Sequence, residues 1–154
     1  MFETFLGLPL HPLVIHAAVV FVPLLILVAL GYALVPRLRA RLGWVAVLLA
    51  LIAPLSTLLA KLSGDAFRAR LARLTPGAPF DKIDAHRSLG TITVYLTISL
   101  AVLVLVLVLI RTKPPVLNAL LIVAIVAIVA VSAVTGYYVY RTGDTAAHIV
   151  WKGL

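Results

Sequence analysis

The sequence predicts an all-α integral membrane protein, a single domain built as a bundle of four spanning helices. Of the 154 residues, 64% are hydrophobic, and the mean hydropathy is +1.19. No water-soluble domain of this size carries that composition. The hydrophobic residues also fall into four runs of about 20 residues each, the length that a helix needs to cross a bilayer. These runs cover residues 12–35, 44–62, 87–110 and 116–140.

The charge distribution and the missing residue types exclude several classes of binding partner and of catalytic site. The net charge is +8, but only 12% of the residues are charged, and they lie between the hydrophobic runs. The basic excess therefore indicates lipid headgroups and membrane orientation rather than nucleic acid. The chain has no cysteine, which excludes disulfides, thiol nucleophiles and iron–sulfur clusters held by its own thiolates. No Gly-rich phosphate loop, G-x-S-x-G elbow or H-E-x-x-H motif occurs.

The first two spans begin with residues that are typical of membrane helix boundaries. Pro12 suits the first turn of span one, where a missing N–H group costs no hydrogen bond. Trp44 opens span two as an interfacial anchor. Spans two and four carry small residues at spacings of three and four, which let helices pack closely in lipid. These are Ala50, Ala53, Thr57, Ala60 and Gly64 in span two, and Ser132 and Gly136 in span four.

The connection between spans two and three, residues 63–85, is an extended polar segment. Its hydrophobic residues share one helical face while arginines occupy the others, which predicts a short interfacial helix over residues 66–74. Asp84 is the expected N-cap of span three. Residues 111–115 are expected to form the tight turn into span four. The hydrophobic residues of the interfacial segment are Phe67, Leu71 and Leu74.

Four spans place both chain ends and the 63–85 connection on one side of the membrane. All four histidines and all five acidic residues then fall on that side, which we call the histidine side. The opposite side, called the loop side, holds two short basic connections. No Lys or Arg precedes span one, and three arginines follow it directly. This asymmetry favours a cytoplasmic loop side and extracytoplasmic chain ends.

The two halves of the chain share one order of features. In each half a histidine is followed by a span, a basic turn with proline, a second span and a [ST]-G-D tripeptide. The first half has His16 and residues 63–65; the second has His86 and residues 142–144. Such repeats are related by an axis along the membrane normal, so we expect pseudo-symmetric hairpins with His16 and His86 facing each other. The tripeptide alone is also typical of a helix end, with glycine at the C′ position.

The opening HPLVIH, the glycine after span two, the histidine before span three and the closing TGD-x-A-A-x-x-x-W resemble a bacterial family of four-span membrane proteins of unknown function. The resemblance implies a multi-pass protein of the bacterial inner membrane. Some members of that family are fused to Rieske-type iron–sulfur domains, which implies an electron-transfer setting and a redox protein partner. The matching positions are His11, His16, Gly64, His86, Gly143 and Trp151.

A b-type haem is the first of three interpretations of the histidines. Two imidazoles from facing helices, here His16 and His86, are the ligands that such a haem needs. Gly90 would leave room for the macrocycle, and Arg87 or Arg141 would meet a propionate. His11 or His148 is the expected substitute for either ligand. The protein would then be an electron-transfer subunit.

Two alternatives stay open at the level of sequence. The first is a zinc or copper site without a macrocycle, since imidazole and carboxylate groups are the usual ligands of these ions. The second is a structural or accessory subunit without a cofactor, in which the small-residue stripes serve a homodimer or a partner helix. The candidate metal ligands are His11, His16, His86, His148, Asp65 and Asp144.

Overall fold

Four long helices make up nearly all of the structure, a computed structural model that describes residues 4–75, 77–110 and 118–151. Each helix is long and apolar enough to cross a membrane. The prediction of a four-helix membrane bundle is therefore confirmed. The helices are α1 (Leu10–Leu34), α2 (Arg39–Leu74), α3 (Phe80–Ile110) and α4 (Asn118–Trp151).

A small hairpin precedes α1. Its strands, β1 (Thr4–Phe5) and β2 (Leu8–Pro9), are antiparallel. Leu6 and Gly7 both have positive φ, at 50° and 82°. Two consecutive residues with positive φ are what a two-residue hairpin loop of type I′ requires. The hairpin delivers the chain directly into the first turn of α1.

The junction between α1 and α2 lies on the loop side. A 3₁₀ turn, Pro36–Leu38, separates the two helices. The guanidinium of Arg39 donates to the carbonyl oxygens of Tyr32 at 2.8 Å and Ala33 at 2.7 Å. It thereby satisfies carbonyls that the end of α1 leaves without helical partners.

The second helix is longer than the sequence predicts. It runs without interruption for 36 residues to Leu74, which at about 1.5 Å per residue is about 54 Å. A bilayer hydrocarbon is only about 30 Å thick. The expected separate interfacial helix over residues 66–74 is therefore wrong: this segment continues α2 beyond the span. It ends next to Thr75, the residue before Pro76, where helical backbone is disfavoured.

The third and fourth helices also extend beyond their predicted bounds on the histidine side. Because α3 begins at Phe80, Asp84 is not an N-cap but lies inside the helix, where its carboxylate binds Arg68 of α2. The predicted C-terminal tail is helical through Trp151. The predicted turn at residues 111–115 lies outside the described residues.

The bundle is closed by packing between neighbouring helices. Each helix packs along its sequence neighbour, and α1 also contacts α4. The most deeply buried large side chains include Leu25, Leu100, Leu107 and Ile128. The small-residue face of α2 packs inside the bundle over part of its length, since Ala50, Ala53 and Thr57 are buried. This arrangement brings the ends of all four helices together on the histidine side.

Candidate functional site

A cavity of about 380 Å³ lies between the four helix ends on the histidine side. Its volume falls within the range of about 300–1,000 Å³ that small-molecule sites occupy. Most of the lining is apolar, and the polar groups come from all four helices. They include His11 from α1, Lys61, Asp65 and Arg68 from α2, His86 and Arg87 from α3, and Thr142 from α4.

The first of the two imidazoles in this cavity belongs to His11. Its Nδ1 lies 3.0 Å from the carbonyl oxygen of Ala60 and 3.3 Å from Oγ of Ser63. Its ring stacks on Phe67, with the ring centroids 6.3 Å apart. All three contacts are with α2, the partner of α1 in the first helical hairpin.

The second imidazole belongs to His86 and is held by the second hairpin. Its Nδ1 lies 3.0 Å from Oγ1 of Thr145 on α4. The hydroxyls of Thr93, about two turns from His86, and Thr142, about one turn from Thr145, are 3.1 Å apart and link the same two helices. His11 and His86 are both half-buried and line the same cavity.

The partners of these rings determine which nitrogen carries the proton. A carbonyl oxygen only accepts hydrogen bonds, so Nδ1 of His11 donates to Ala60. The hydroxyl of Thr145 lies 2.9 Å from the carbonyl oxygen of Thr142 and donates there, so it accepts from Nδ1 of His86. Nε2 is therefore the nitrogen with the free lone pair in both neutral rings. Histidines that bind metals are commonly oriented by such a bond from the other ring nitrogen.

Glycine provides the space for the His11 ring. A Cβ atom built on Gly64 would lie 3.0 Å from Cε1 of His11 and 3.2 Å from its Nδ1. Contacts this short are tighter than nine in ten of those that Cβ atoms make, so alanine here would require the ring to move by a few tenths of an ångström. Gly90 and Gly143 also line the cavity, and a Cβ on either would meet no atom within 4 Å. The cavity therefore has open space at Gly90, one helical turn from His86.

Two ion pairs between α2 and α3 lie at the rim of the cavity. Nε of Arg87 donates to Oδ1 of Asp65 at 2.5 Å, and Nζ of Lys61 donates to the other carboxylate oxygen at 2.7 Å. Arg68 forms a two-pronged pair with Asp84, with distances of 2.8 and 2.7 Å. These contacts link the extended end of α2 to α3.

His16 lies outside the cavity, and the predicted pairing of His16 with His86 is not found. The His16 side chain is exposed, and its Nδ1 contacts the carbonyl oxygen of Pro12 in its own helix. Helix geometry explains the difference, because residues five apart are about 140° apart around the axis. Ile15 and Ala18 share the face of His11 and line the cavity with it. The histidine of α1 that accompanies His86 is therefore His11.

Three other predicted residues also lie away from the cavity: Arg141, Asp144 and His148. His148 is exposed, and its Nδ1 contacts the backbone oxygen of Asp144 at 2.9 Å and its carboxylate at 3.4 Å. Arg141 is exposed and donates to the hydroxyl of Tyr137 at 3.0 Å. The expected contact of Arg141 with a ligand carboxylate therefore has no support in its position, whereas Arg87 lines the cavity.

The metal ligands that the sequence suggested are not assembled into one cluster. Across residues 4–75, 77–110 and 118–151, no group of three or more His, Asp or Glu side chains lies close enough together to hold a metal ion. Asp65 is engaged by two basic side chains, and Asp144 lies beside His148. The cavity itself brings together only His11 and His86 as imidazole groups.

The [ST]-G-D tripeptides do not end helices. Residues 63–65 lie inside α2 and residues 142–144 lie inside α4, so the helix-end interpretation is wrong. The tripeptides instead lie beside the two cavity histidines. The sequence alone does not point to Thr145 as a partner of His86. Its position one turn from Thr142, on the helix paired with α3, was the available signal.

The comparison with protein families extends across both hairpins. Residues 7–153 match a family model described as predicted membrane protein, DUF2231. The chain belongs to this family. The matched range of this DUF2231 chain includes every residue of the cavity, from His11 to Val150. No curated protein and no solved structure matches the chain.

Proposed function

We propose that the protein is a membrane-embedded electron-transfer subunit that binds one b-type haem through His11 and His86. The observation that carries the proposal is the paired geometry of the two rings. They come from different hairpins, line one cavity, and each donates from Nδ1 so that Nε2 has a free lone pair. Two such imidazoles are the axial ligands of many b-type haems in helical bundles.

The surroundings of the two rings fit this ligand. The cavity walls are mainly apolar, as a macrocycle requires, and Gly64, Gly90 and Gly143 keep them free of side chains. Arg68 and Arg87 lie on the rim, where the carboxylates of a haem would meet solvent. An iron held in this way would supply one-electron redox chemistry within the membrane. A zinc or copper site is less well supported because only two imidazoles line the cavity.

Absorption spectroscopy of the purified protein tests this function. We expect a Soret band after expression in haem-replete cells or after titration with hemin, with a shift on reduction by dithionite. His11→Ala and His86→Ala should each abolish the reduced spectrum of a six-coordinate haem. His16→Ala is the matched control: this histidine is in the same helix but exposed on another face, so its loss should leave the spectrum unchanged.

Two results would contradict the proposal. Wild-type protein that stays colourless and takes up no hemin would exclude haem binding. A spectrum that survives loss of His11 but not of His16 would exclude the ligand assignment. Metal analysis of the same preparations separates haem iron from bound zinc or copper, the alternative that the sequence left open.

A further inference from the structure

Two partly exposed arginines line the cavity. Arg68 of α2 and Arg87 of α3 line the cavity, whereas Arg70 and Arg73, on the same extension of α2, do not. The position of the first two is determined by helix phase, because they lie on the faces that α2 and α3 turn towards the cavity. Their location suggests a role that the other basic residues of the segment do not share.

Both arginines hold carboxylates in the structure. Arg68 presents Nε and Nη2 to the two oxygens of Asp84, and Arg87 presents Nε to Asp65. The two-pronged geometry is the one in which a guanidinium recognises any carboxylate, from the protein or from a ligand. Side-chain exposure is 36% for Arg68 and 49% for Arg87. Ion pairs with this much contact with water contribute little to stability.

On the basis of the haem site proposed above, we propose that Arg68 and Arg87 bind the two carboxylates of the tetrapyrrole. Without the ligand these arginines bind Asp84 and Asp65, and the ligand carboxylates displace the two aspartates. The site would then select a dicarboxylate ligand over its neutral ester. Each aspartate keeps another source of stabilisation when its arginine turns to the ligand. Asp65 retains Lys61 at 2.7 Å, and the Asp84 side chain is 44% exposed to solvent.

The exchange distinguishes this role from that of a structural clamp. If the ion pairs only hold α2 against α3, replacing either the arginine or the aspartate weakens the bundle. Both replacements then lower the affinity for the ligand. If the aspartate competes with the ligand, the two changes act in opposite directions. Replacing the arginine removes the group that binds the ligand carboxylate and lowers the affinity. Removing the charge of the aspartate frees the arginine to bind the ligand and raises the affinity.

The experiment compares hemin with hemin dimethyl ester, which lacks free carboxylates, by titration of the full-length protein in detergent. Wild type should prefer hemin by about tenfold, the effect of one or two charge-assisted hydrogen bonds. Arg68→Gln and Arg87→Gln should each lower hemin affinity severalfold and leave ester affinity unchanged. Asp84→Asn should raise hemin affinity severalfold. Arg70→Gln and Asp81→Asn change residues that do not line the cavity, the first half-buried and the second exposed, and should change neither affinity.

Each outcome is decisive for one of the two proposals. Equal binding of both ligands, with a spectrum that still depends on His11, would overturn the carboxylate receptor and leave haem binding intact. Weaker hemin binding in both Arg68→Gln and Asp84→Asn would assign the pair to a structural clamp and also overturn it. Failure of wild type to bind either ligand would instead overturn the haem site. The ester titration reports whether each variant keeps a folded cavity.

Discussion

At the scale of single residues, the main result is that helix phase separates two neighbouring histidines. His11 and His16 are five positions apart in α1, so their side chains leave the helix in different directions. His11 points into the bundle, where an Ala60 carbonyl and a Ser63 hydroxyl hold its Nδ1. His16 bonds only within its own first turns. The same residue type therefore has two different environments within one motif.

The contact between Gly64 and His11 leads to a prediction from a matched pair of glycines. Gly64→Ala should lower stability by about 1–3 kcal/mol relative to Gly143→Ala, because its Cβ would meet the His11 ring at 3.0 Å. Gly143→Ala meets no atom within 4 Å and should stabilise α4 by about 0.5–1 kcal/mol. The midpoint of thermal unfolding in detergent measures both effects. Equal increases in the unfolding midpoint of the two variants would show that the His11 ring moves aside without loss of stability.

At the scale of helices, the continuity of α2 is what builds the site. The helix extends beyond the bilayer and places Gly64, Asp65 and Arg68 along the cavity. A surface helix starting at residue 66 would instead turn Arg68 away from the cavity. The polar residues of the extension are accommodated by ion pairs with α3 rather than by lipid headgroups. The cavity therefore depends on a helix that is longer than the membrane requires.

A distance measurement tests this continuity. The chain has no native cysteine, so spin labels can be attached at Leu55→Cys and Ala72→Cys, both at exposed positions. A continuous helix places these Cα atoms about 25 Å apart, at about 1.5 Å per residue. A helix that bends onto the membrane surface between residues 63 and 66 would give a clearly shorter distance. Electron paramagnetic resonance in detergent or nanodiscs distinguishes the two.

At the scale of the whole molecule, the two hairpins hold their histidines in corresponding ways. In each hairpin the first helix carries the imidazole, and the second carries a hydroxyl that accepts from Nδ1 near a [ST]-G-D tripeptide. The repeat in the sequence therefore describes the two halves of one cavity, with His11 rather than His16 as the counterpart of His86. Sites at the interface between repeats are a recurrent feature of membrane proteins.

The orientation of the bundle is the subject of the last prediction. The arginines that follow α1 favour a cytoplasmic loop side, so the cavity should open on the extracytoplasmic side. Gly77→Cys and Ala40→Cys place single thiols at exposed positions on the two opposite sides. A thiol reagent that cannot cross membranes should label residue 77 in intact cells and residue 40 only after lysis. The reverse pattern would place the cavity at the cytoplasmic surface.

The fold could be predicted from the sequence further than the site. Four apolar runs determine four spans because unpaired backbone groups in hydrocarbon must bond within a helix. Helix ends were harder to predict, because the polar extensions of α2 and α4 are stabilised by contacts with other helices and not by local pattern. Thr145 could not be assigned to His86 without knowing how far α4 continues. Which histidine of α1 shares the cavity with His86 depended on the rotational position of the first turn of α1. The short motif, with His11 and His16, did not determine that position.

Composition and the order of apolar and basic segments by themselves determined that this chain is a four-span membrane protein with all its histidines on one side. Transfer of apolar surface out of water depends on residue type and run length, and both can be read directly from sequence. Only the tertiary structure decided that His11 and His86 share a cavity, and that Nε2 is the free nitrogen of each ring. That outcome depends on which helix faces meet and on hydrogen bonds between residues about 50 positions apart, which no local pattern specifies.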